Sequence, residues 1–287
     1  MPQIDLAELQ KSIGRELREP DIITPRLARA FTSTMSPYLA PVPAGDSPLG
    51  LHWCLAPAPA APMEELALDG HPPGGGIFPA VPLPRRMWAG GEVQLLAPLP
   101  VGGAVERRSV ITDVKLKQGR TGVLCFFSVQ HEFWAGGVAA IRETQSVVYR
   151  DAAKPGENAQ GPVNQQEAAA RPKPDMVWTV ETPPTLLFRY SALMFNAHRI
   201  HYDMPYVTGV EGFPGLVVQG PLQAGCLFNL AAVLGGSRPK RFSCRGQAPL
   251  IGGRPFTVNA VRAADGGVEC WTNDADGRIN MTGAASW

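Results

Sequence analysis

An α+β fold is expected, with two runs of antiparallel strands and one buried helix at the head of the second run. Three observations carry this expectation. Between residues 92 and 149, four segments rich in Val, Ile, Phe and Tyr follow one another across short Gly/Pro turns, which is how an antiparallel meander reads. Nearly all of residues 222–234 are apolar or small, on all sides, and they lie between Gly220-Pro221 and Gly235-Gly236; a helix that is apolar all round is a buried one. A second series of strand-like segments then fills residues 241–284.

Taken in order, Thr24-Pro25 ahead of Arg-Leu-Ala-Arg-Ala-Phe predicts a capped amphipathic helix within residues 20–35. Residues 36–84 are crowded with Pro and Gly, including PAPAAP and PPGGG. A stretch this long without regular structure is expected to be a functional loop or an arm that wraps the domain. Residues 92–97, 105–117, 121–133 and 138–149 read as strands. Within them VLCFFSV, residues 123–129, is almost continuously apolar and predicts a central strand covered on both faces. Residues 151–175 hold no aromatic and read as a flexible crossover. A short strand at 177–180 follows, then the helix, and then strands at 241–249, 255–263, 268–272 and 278–284. The expected organisation is a first half at 1–150, a linker at 151–175 and a second half at 176–287. The first half would share the plan of the second, with its helix region degraded.

Pro is favoured in the first turn of a helix, where its missing N–H would be unpaired anyway. Pro221 therefore reads as the first helical residue, Gly220 as its cap and Gly235-Gly236 as the stop. The free N–H groups and positive dipole at such a start suit a developing oxyanion, and Gly220 is the better donor because Pro221 has none.

The 287 residues carry a net charge of +1, with 45% hydrophobic and 18% charged residues. That balance supports a real core and no global field for nucleic acid or a membrane surface. The first twenty residues lack the basic start and apolar run of a signal peptide, and no apolar stretch is long enough to span a bilayer. The five cysteines, Cys54, Cys125, Cys226, Cys244 and Cys270, are widely spaced without a CxxC. They are expected to be reduced packing residues in a cytoplasmic protein.

Ahead of the helix stands the sequence Arg189-Tyr190-Ser191-Ala192-Leu193, then Asn196-Ala197-His198-Arg199-Ile200-His201-Tyr202-Asp203. His198 and His201 admit two plain readings: hydrogen-bonded side chains, or an HxxH metal pair. No nearby Cys or Glu completes such a pair at a familiar spacing, so no metal is expected. Together with the Val-Val-x-Gly that precedes the helix, the stretch resembles the motif of MaoC-type enoyl-thioester hydratases and dehydratases. The variant Phe-Asn-x-His-Arg-Ile-His-Tyr-Asp resembles a narrower branch: mitochondrial-type 3-hydroxyacyl-thioester dehydratases and the mesaconyl-C4-CoA and itaconyl-CoA hydratases. Leu83-Pro84-Arg85-Arg86-Met87-Trp88-Ala89-Gly90-Gly91 and Gly119-Arg120-Thr121-Gly122 extend the likeness into the first half. The resemblance implies a double hotdog fold, in which a curved antiparallel sheet wraps a helix in each half. It also implies that His201 is the catalytic base and that Gly220 N–H polarises the thioester carbonyl. Asn196 stands where the family has a catalytic Asp, and His198 where it has Asn.

Hydrating an enoyl thioester requires deprotonating a water, protonating the neighbouring carbon and stabilising the thioester oxygen. His201 can take a proton near neutral pH; Asn196 can hold the water but cannot ionise. Either His201 handles both proton steps or another acid stands in; Asp203 is the nearest candidate in sequence, or else the cap of the next turn. Arg85, Arg86, Arg189 and Arg199 are candidate partners for a second substrate carboxylate, and Arg199 could instead pair with Asp203 or Glu211. Tyr190 and Arg245 complete the candidate substrate contacts, Arg245 as part of a basic cluster with Arg238, Lys240 and Arg241 that is either a solvated face or a dock for coenzyme A phosphates. The resulting expectation is an enoyl-CoA hydratase giving citramalyl-CoA. Its rivals are a 3-hydroxyacyl-thioester dehydratase of fatty-acid synthesis and a non-catalytic acyl-thioester-binding protein. No cofactor is expected beyond the coenzyme A of the substrate, no nucleic-acid or membrane partner, and a monomer or homodimer.

Overall fold

The computed structural model describes residues 4–57, 61–72, 74, 76–119, 122–151 and 171–287. Residues 152–170 of the expected crossover, and Arg120 and Thr121 of the second turn, lie outside the described residues.

Ten strands lie among the described residues: β1 (Glu16–Ile22), β2 (Arg85–Leu95), β3 (Ala104–Gly119), β4 (Gly122–Ala135), β5 (Val138–Arg150), β6 (Met176–Val180), β7 (Arg241–Gly246), β8 (Phe256–Arg262), β9 (Val268–Asn273) and β10 (Ile279–Ser286). They form one sheet in the order β1-β3-β4-β5-β2-β7-β10-β9-β8-β6, antiparallel throughout. The expected two sheets are thus two halves of one, joined edge to edge where β2 runs beside β7 from Gly90↔Arg245 to Gln94↔Arg241.

Glycine makes that join possible. A Cβ on Gly90 would lie 2.2 Å from the Cys244 carbonyl oxygen, and one on Gly91 would lie 2.2 Å from that of Thr144. Side chains at either position would push the neighbouring strands apart. The Gly-Gly pair reads as a turn in sequence but lies inside β2, which therefore starts at Arg85 rather than at residue 92.

Three further expectations need correction. The segment 123–129 is interior to the sheet but covered on one face only: β4 alternates buried and half-buried positions along its length. Its apolar out-facing residues, such as Phe126, carry Lys117 over the ring at 5.1 Å. β1 was not legible, because ELREPDI alternates exposed and half-buried residues with no apolar face; its charges and Pro20 are those of an edge strand. The long helix begins one residue early, as described below.

Five α-helices are described: α1 (Leu6–Gln10), α2 (Pro25–Met35), α3 (Pro184–Met194), α4 (Met204–Gly209) and α5 (Gly220–Gly235). α2 starts as its sequence demands, with the Thr24 side chain accepting from Leu27 N–H. α5 packs along the second half of the sheet, with Phe228 stacked on Phe242 of β7 at 4.5 Å and 11°. Gln219 is its cap, Gly220 and Pro221 are its first two residues, and Gly236 closes it with φ +79°. Pro tolerates either of the first positions, since both lack an intrahelical acceptor. No helix among the described residues is long and apolar enough to cross a membrane.

The first half has no counterpart of α5. Among the described residues, 36–84 contribute only single turns, at Leu51–Cys54 and Met63–Glu65. Leu51, Trp53, Cys54 and Leu55 of this arm are buried in the same core as α5. Asn229 in the middle of α5 ties the arm down: it accepts from Ala40 N–H at 2.9 Å and donates to the Leu49 carbonyl at 3.1 Å.

Candidate active site

α3 sorts the consecutive motif residues Arg189, Tyr190 and Ser191 between two faces. Leu187, Tyr190 and Ser191 face inward, at the i, i+3, i+4 spacing of one helical face, while Arg189 points to solvent. Tyr190 is fully buried in the core beside Cys54 and Cys226, so the structure gives it a packing role in place of the expected substrate contact. Ser191 accepts a bond from Gln219 Nε2 at 2.8 Å, and Gln219 also donates to the Leu187 carbonyl at 2.8 Å. The residue that caps α5 is in this way fastened to α3. Phe195 ends α3 with φ +50°, a rare conformation for a non-glycine residue, and turns the chain into the motif loop.

In that loop Asn196 Oδ1 accepts the His198 N–H at 3.0 Å, which braces the loop. His201 is buried at 7% exposure, and its Nδ1 lies 2.6 Å from the Val217 carbonyl oxygen. A carbonyl can only accept, so Nδ1 carries the proton and Nε2 presents its lone pair. Burial lowers the His201 pKa to about 4, against the bond to Val217, which raises it. The ring is therefore neutral at pH 7, the form that accepts a proton. Val217 lies three residues before the start of α5, so one short segment orients the His201 ring and delivers the helix N-terminus. Gly220, in the first turn of α5, has an N–H without an intrahelical acceptor. A Cβ there would lie 2.6 Å from the Trp88 ring, so the first half of the chain, through β2, packs directly on the helix start.

Asp203 accepts the Tyr206 N–H at 3.0 Å as the cap of α4, and takes Arg199 Nη2 at 2.7 Å. Those bonds, the backbone one first, lower its pKa. It is a stable carboxylate turned to these partners, and the expected role as second acid passes elsewhere. Arg199 is engaged by Asp203 and by the Leu68 carbonyl at 3.0 Å, which accounts for it without a substrate.

The arginines of β2 separate in role. Arg85 forms an ion pair with the buried Glu211 and donates to the Val210 carbonyl at 3.4 Å. Arg86 has no acidic partner among the described residues; it lies 5.9 Å over the Phe78 ring and close to the Tyr149 hydroxyl. Both line a cavity of about 340 Å³ with Asp69, His71, Tyr149 and Tyr206. The expected basic cluster is dispersed: Arg238 donates to the Ala97 carbonyl at 2.7 Å, Arg241 pairs with Glu92 at 3.4 Å, and Arg245 is exposed on β7. Strand alternation puts Arg241 and Arg245 on the outer face and Phe242 and Cys244 inside.

Two residues of the site were not foreseen. Asp69 and His71 come from the Pro/Gly arm, which docks on the motif loop through backbone bonds: Arg199 N–H donates to the Asp69 carbonyl at 2.9 Å. A Cβ on Gly70, whose φ is +89°, would lie 2.1 Å from the Ala197 carbonyl oxygen. Only glycine permits this approach, and Asp-Gly-His within the Pro/Gly-rich arm was the available signal. The His71 ring lies 4.8 Å from that of His198, and His198 lies 5.6 Å from His201. The donor atoms of Asp69, His71 and His198 fall within 4.8 Å of one another, the donor set among the described residues that could hold a cation.

One sheet folded over one buried helix, with a neutral imidazole and a free backbone N–H at the helix start, is the arrangement of a hotdog-fold thioester enzyme. Known proteins agree. The family model for hydroxyacyl-thioester dehydratase type 2 matches residues 50–252. A mesaconyl-C(4)-CoA hydratase of Chloroflexus aurantiacus is 41% identical over 251 residues, 86% of this chain and 87% of that one. Among solved structures, a MaoC-like dehydratase superposes with a TM-score of 0.70 at 15% identity, over 97% of this chain and 99% of that one. A conserved hypothetical protein from Mycobacterium tuberculosis with a double hotdog fold superposes with a TM-score of 0.57 at 13% identity, over 95% of each chain. The chain belongs to the hydroxyacyl-thioester dehydratase type 2 family, within the MaoC-like double-hotdog proteins, and is a hydro-lyase of that type, an enoyl-thioester hydratase.

Proposed function

We propose that the substrate is a dicarboxylic enoyl-CoA, mesaconyl-C4-CoA or itaconyl-CoA, and the product citramalyl-CoA. The observation that carries this is Arg86: a guanidinium in a cavity beside the motif loop, without an acidic partner among the described residues. A buried carboxylate needs a cationic hydrogen-bond partner, and the straight-chain enoyl groups of fatty-acid synthesis bring none. The 41% identity to a mesaconyl-C(4)-CoA hydratase supports the same reading.

In mesaconyl-C4-CoA the carbon that receives water also bears the free carboxylate. Holding that carboxylate at Arg86 would fix the reacting carbon near the motif loop. His201 Nε2 takes a proton from a water that Asn196 helps to hold. The C–O bond forms, and the thioester oxygen gains enolate charge against the Gly220 N–H.

The test compares mesaconyl-C4-CoA, itaconyl-CoA and crotonyl-CoA in wild type and Arg86→Met. The expected outcome is a wild-type preference for the dicarboxylic substrates, with their kcat/KM reduced about 10–100-fold in the variant; loss of one charged hydrogen bond is worth about 1.5–3 kcal/mol. Crotonyl-CoA turnover should change little. A wild type that prefers crotonyl-CoA or longer enoyl-CoAs would refute the dicarboxylate reading in favour of a fatty-acid dehydratase.

A further inference from the structure

Addition of water to a C=C bond moves two protons: one leaves the water, and one arrives on the α-carbon. His201 accounts for the first. Within the motif loop only His201 itself, as the imidazolium formed in the first step, could supply the second, and it would then serve both carbons. Asn196 cannot ionise, and Asp203 is held as a carboxylate by Tyr206 N–H and Arg199. Burial, with the positive fields of His71 and His201, takes the His198 pKa down to about 2, so His198 carries no proton to give at neutral pH.

The first half supplies a separate imidazole. We propose that His71 is the acid that protonates the α-carbon, and that Asp69 is its positioning residue. The geometry has four parts. Asp69 Oδ1 accepts the His71 backbone N–H at 3.0 Å, and Asp69 Oδ2 faces His71 Nδ1 at 3.6 Å. A carboxylate turned to Nδ1 leaves Nε2 as the atom presented to a ligand, the arrangement by which a carboxylate orients a working imidazole, and such contacts tighten when substrate binds. Both residues line the same cavity as Arg86, so a substrate held at Arg86 lies beside His71. The pair is locked to the motif loop by the Arg199–Asp69 backbone bond and by the close approach of Gly70 to Ala197. The His198 ring stands between His71 and His201. Burial on its own would raise the Asp69 pKa, but bonds and charge from His71 hold it at about 2, so Asp69 remains an anion throughout the working range.

The step balances. A water O–H proton passes to His201 Nε2 as the water oxygen bonds to the β-carbon and the π electrons move towards the thioester oxygen. The resulting enolate takes the Nε2 proton of His71 at its α-carbon. Between turnovers the proton gained at His201 is released to bulk water and the one lost at His71 is taken up from it, so both rings start the next cycle as before. No oxidant, reductant or further reactant enters.

This inference rests on the hydratase reading of the His201 site, and the experiment keeps the two apart. Hydration of the enoyl-CoA that wild type turns over fastest is measured from pH 5.5 to 9.5 for wild type, His71→Gln, Asp69→Asn and His201→Ala, with thermal unfolding of each as a fold control. The groups that share this environment and enter the profile are Asp69, His71, Arg86, Tyr149, His198 and His201. His71→Gln is expected to lower kcat by about 10²–10³-fold with KM within about threefold, and to abolish the decline of rate at high pH that marks a required acid. Asp69→Asn, which keeps the oxygen facing His71 N–H, is expected to lower kcat about tenfold and to move that limb to lower pH. Added imidazole is expected to restore part of the His71→Gln activity. A folded His71→Gln with kcat within fivefold of wild type and an intact high-pH limb would overturn the proposal, as would an Asp69→Asn profile that coincides with wild type. Wild-type activity that vanishes on chelation and returns with a divalent cation would overturn it too, by making Asp69, His71 and His198 ligands. Should His201→Ala stay active while His71→Gln is impaired, the base assignment falls and the His71 assignment stands.

Discussion

The two halves of the sheet contribute five strands each and solve the problem of a core differently. The second half has short strands, of five to eight residues, laid over a helix whose residues are nearly all buried. The first half has long strands, up to sixteen residues in β3, and no such helix. Its inner face is filled by the arm and by a buried polar group: Glu143 on β5 accepts from Trp53 Nε1 at 2.8 Å and Gln145 Nε2 at 2.9 Å, with His52 Nε2 at 3.8 Å. A helix satisfies its own backbone along its length and leaves only the N–H groups of its first turn free. An irregular arm must satisfy its own backbone, but it can carry side chains such as Asp69 and His71 to wherever it docks. The half whose inner face is filled by an irregular arm is therefore the half that brings Asp69 and His71 to the cavity.

The comparison can be broken most forcefully at His201. If the second half holds the base, His201→Ala should lower kcat by about two to four decades with the unfolding temperature nearly unchanged; retention of more than a tenth of wild-type turnover would remove the assignment.

A smaller effect separates the halves through stability. Burial, against bonds from Trp53 and Gln145, pushes the Glu143 pKa up from 4.5 to about 7. Between those values the folded chain keeps a proton that the unfolded chain has released. This contribution to stability is fully present at low pH and disappears as pH rises to about 7. Four buried imidazoles act in the opposite sense. Burial takes His52 and His131 down to about 3, His201 to about 4 and His198 to about 2. Below about 6.5 the unfolded chain takes up protons that the fold refuses, so stability falls as pH drops. Wild type should therefore lose stability from pH 6.5 to 4.5. Glu143→Gln removes the one opposing group and should steepen that loss: its stability relative to wild type should drop by on the order of 3 kcal/mol between pH 7.5 and 5. Urea unfolding at the two pH values measures this. A pH-independent difference would show that Glu143 does not titrate in the fold.

The smallest expected effect is common to both halves. All five cysteines are free and buried, and burial pushes the thiols up, Cys125 to about 11 and Cys54, Cys226 and Cys244 to about 12. Mild alkylation of the native protein should leave activity and mass unchanged. Rapid modification of any one of them, with loss of turnover that substrate prevents, would contradict a purely packing role.

Much of this was written in local pattern. Thr24-Pro25 capped α2, Gly220-Pro221 and Gly235-Gly236 bounded α5 to within a residue, and most strands of both meanders appeared where β-branched and aromatic residues cluster between turns. The motif from Asn196 to Asp203 marked the loop that holds His201. Such features are legible because caps, turns and periodicity act over a few residues. The edge strand β1, the Gly90-Gly91 join and the Asp69–His71 pair were hidden for the opposite reason. An edge strand has no apolar face to display. A glycine pair inside a sheet looks like a turn until two other strands, β7 beside Gly90 and β5 beside Gly91, come within reach of the missing Cβ atoms. Which arginine has an acidic partner could not be read from adjacency either: Arg85 and Arg86 are neighbours in sequence and line the same cavity, yet the position of Glu211 gives the first an ion pair and leaves the second with none among the described residues. Local interactions select the elements; charges find their partners only when distant segments are packed, because pairing depends on distance in space and on burial, neither of which a linear chain contains.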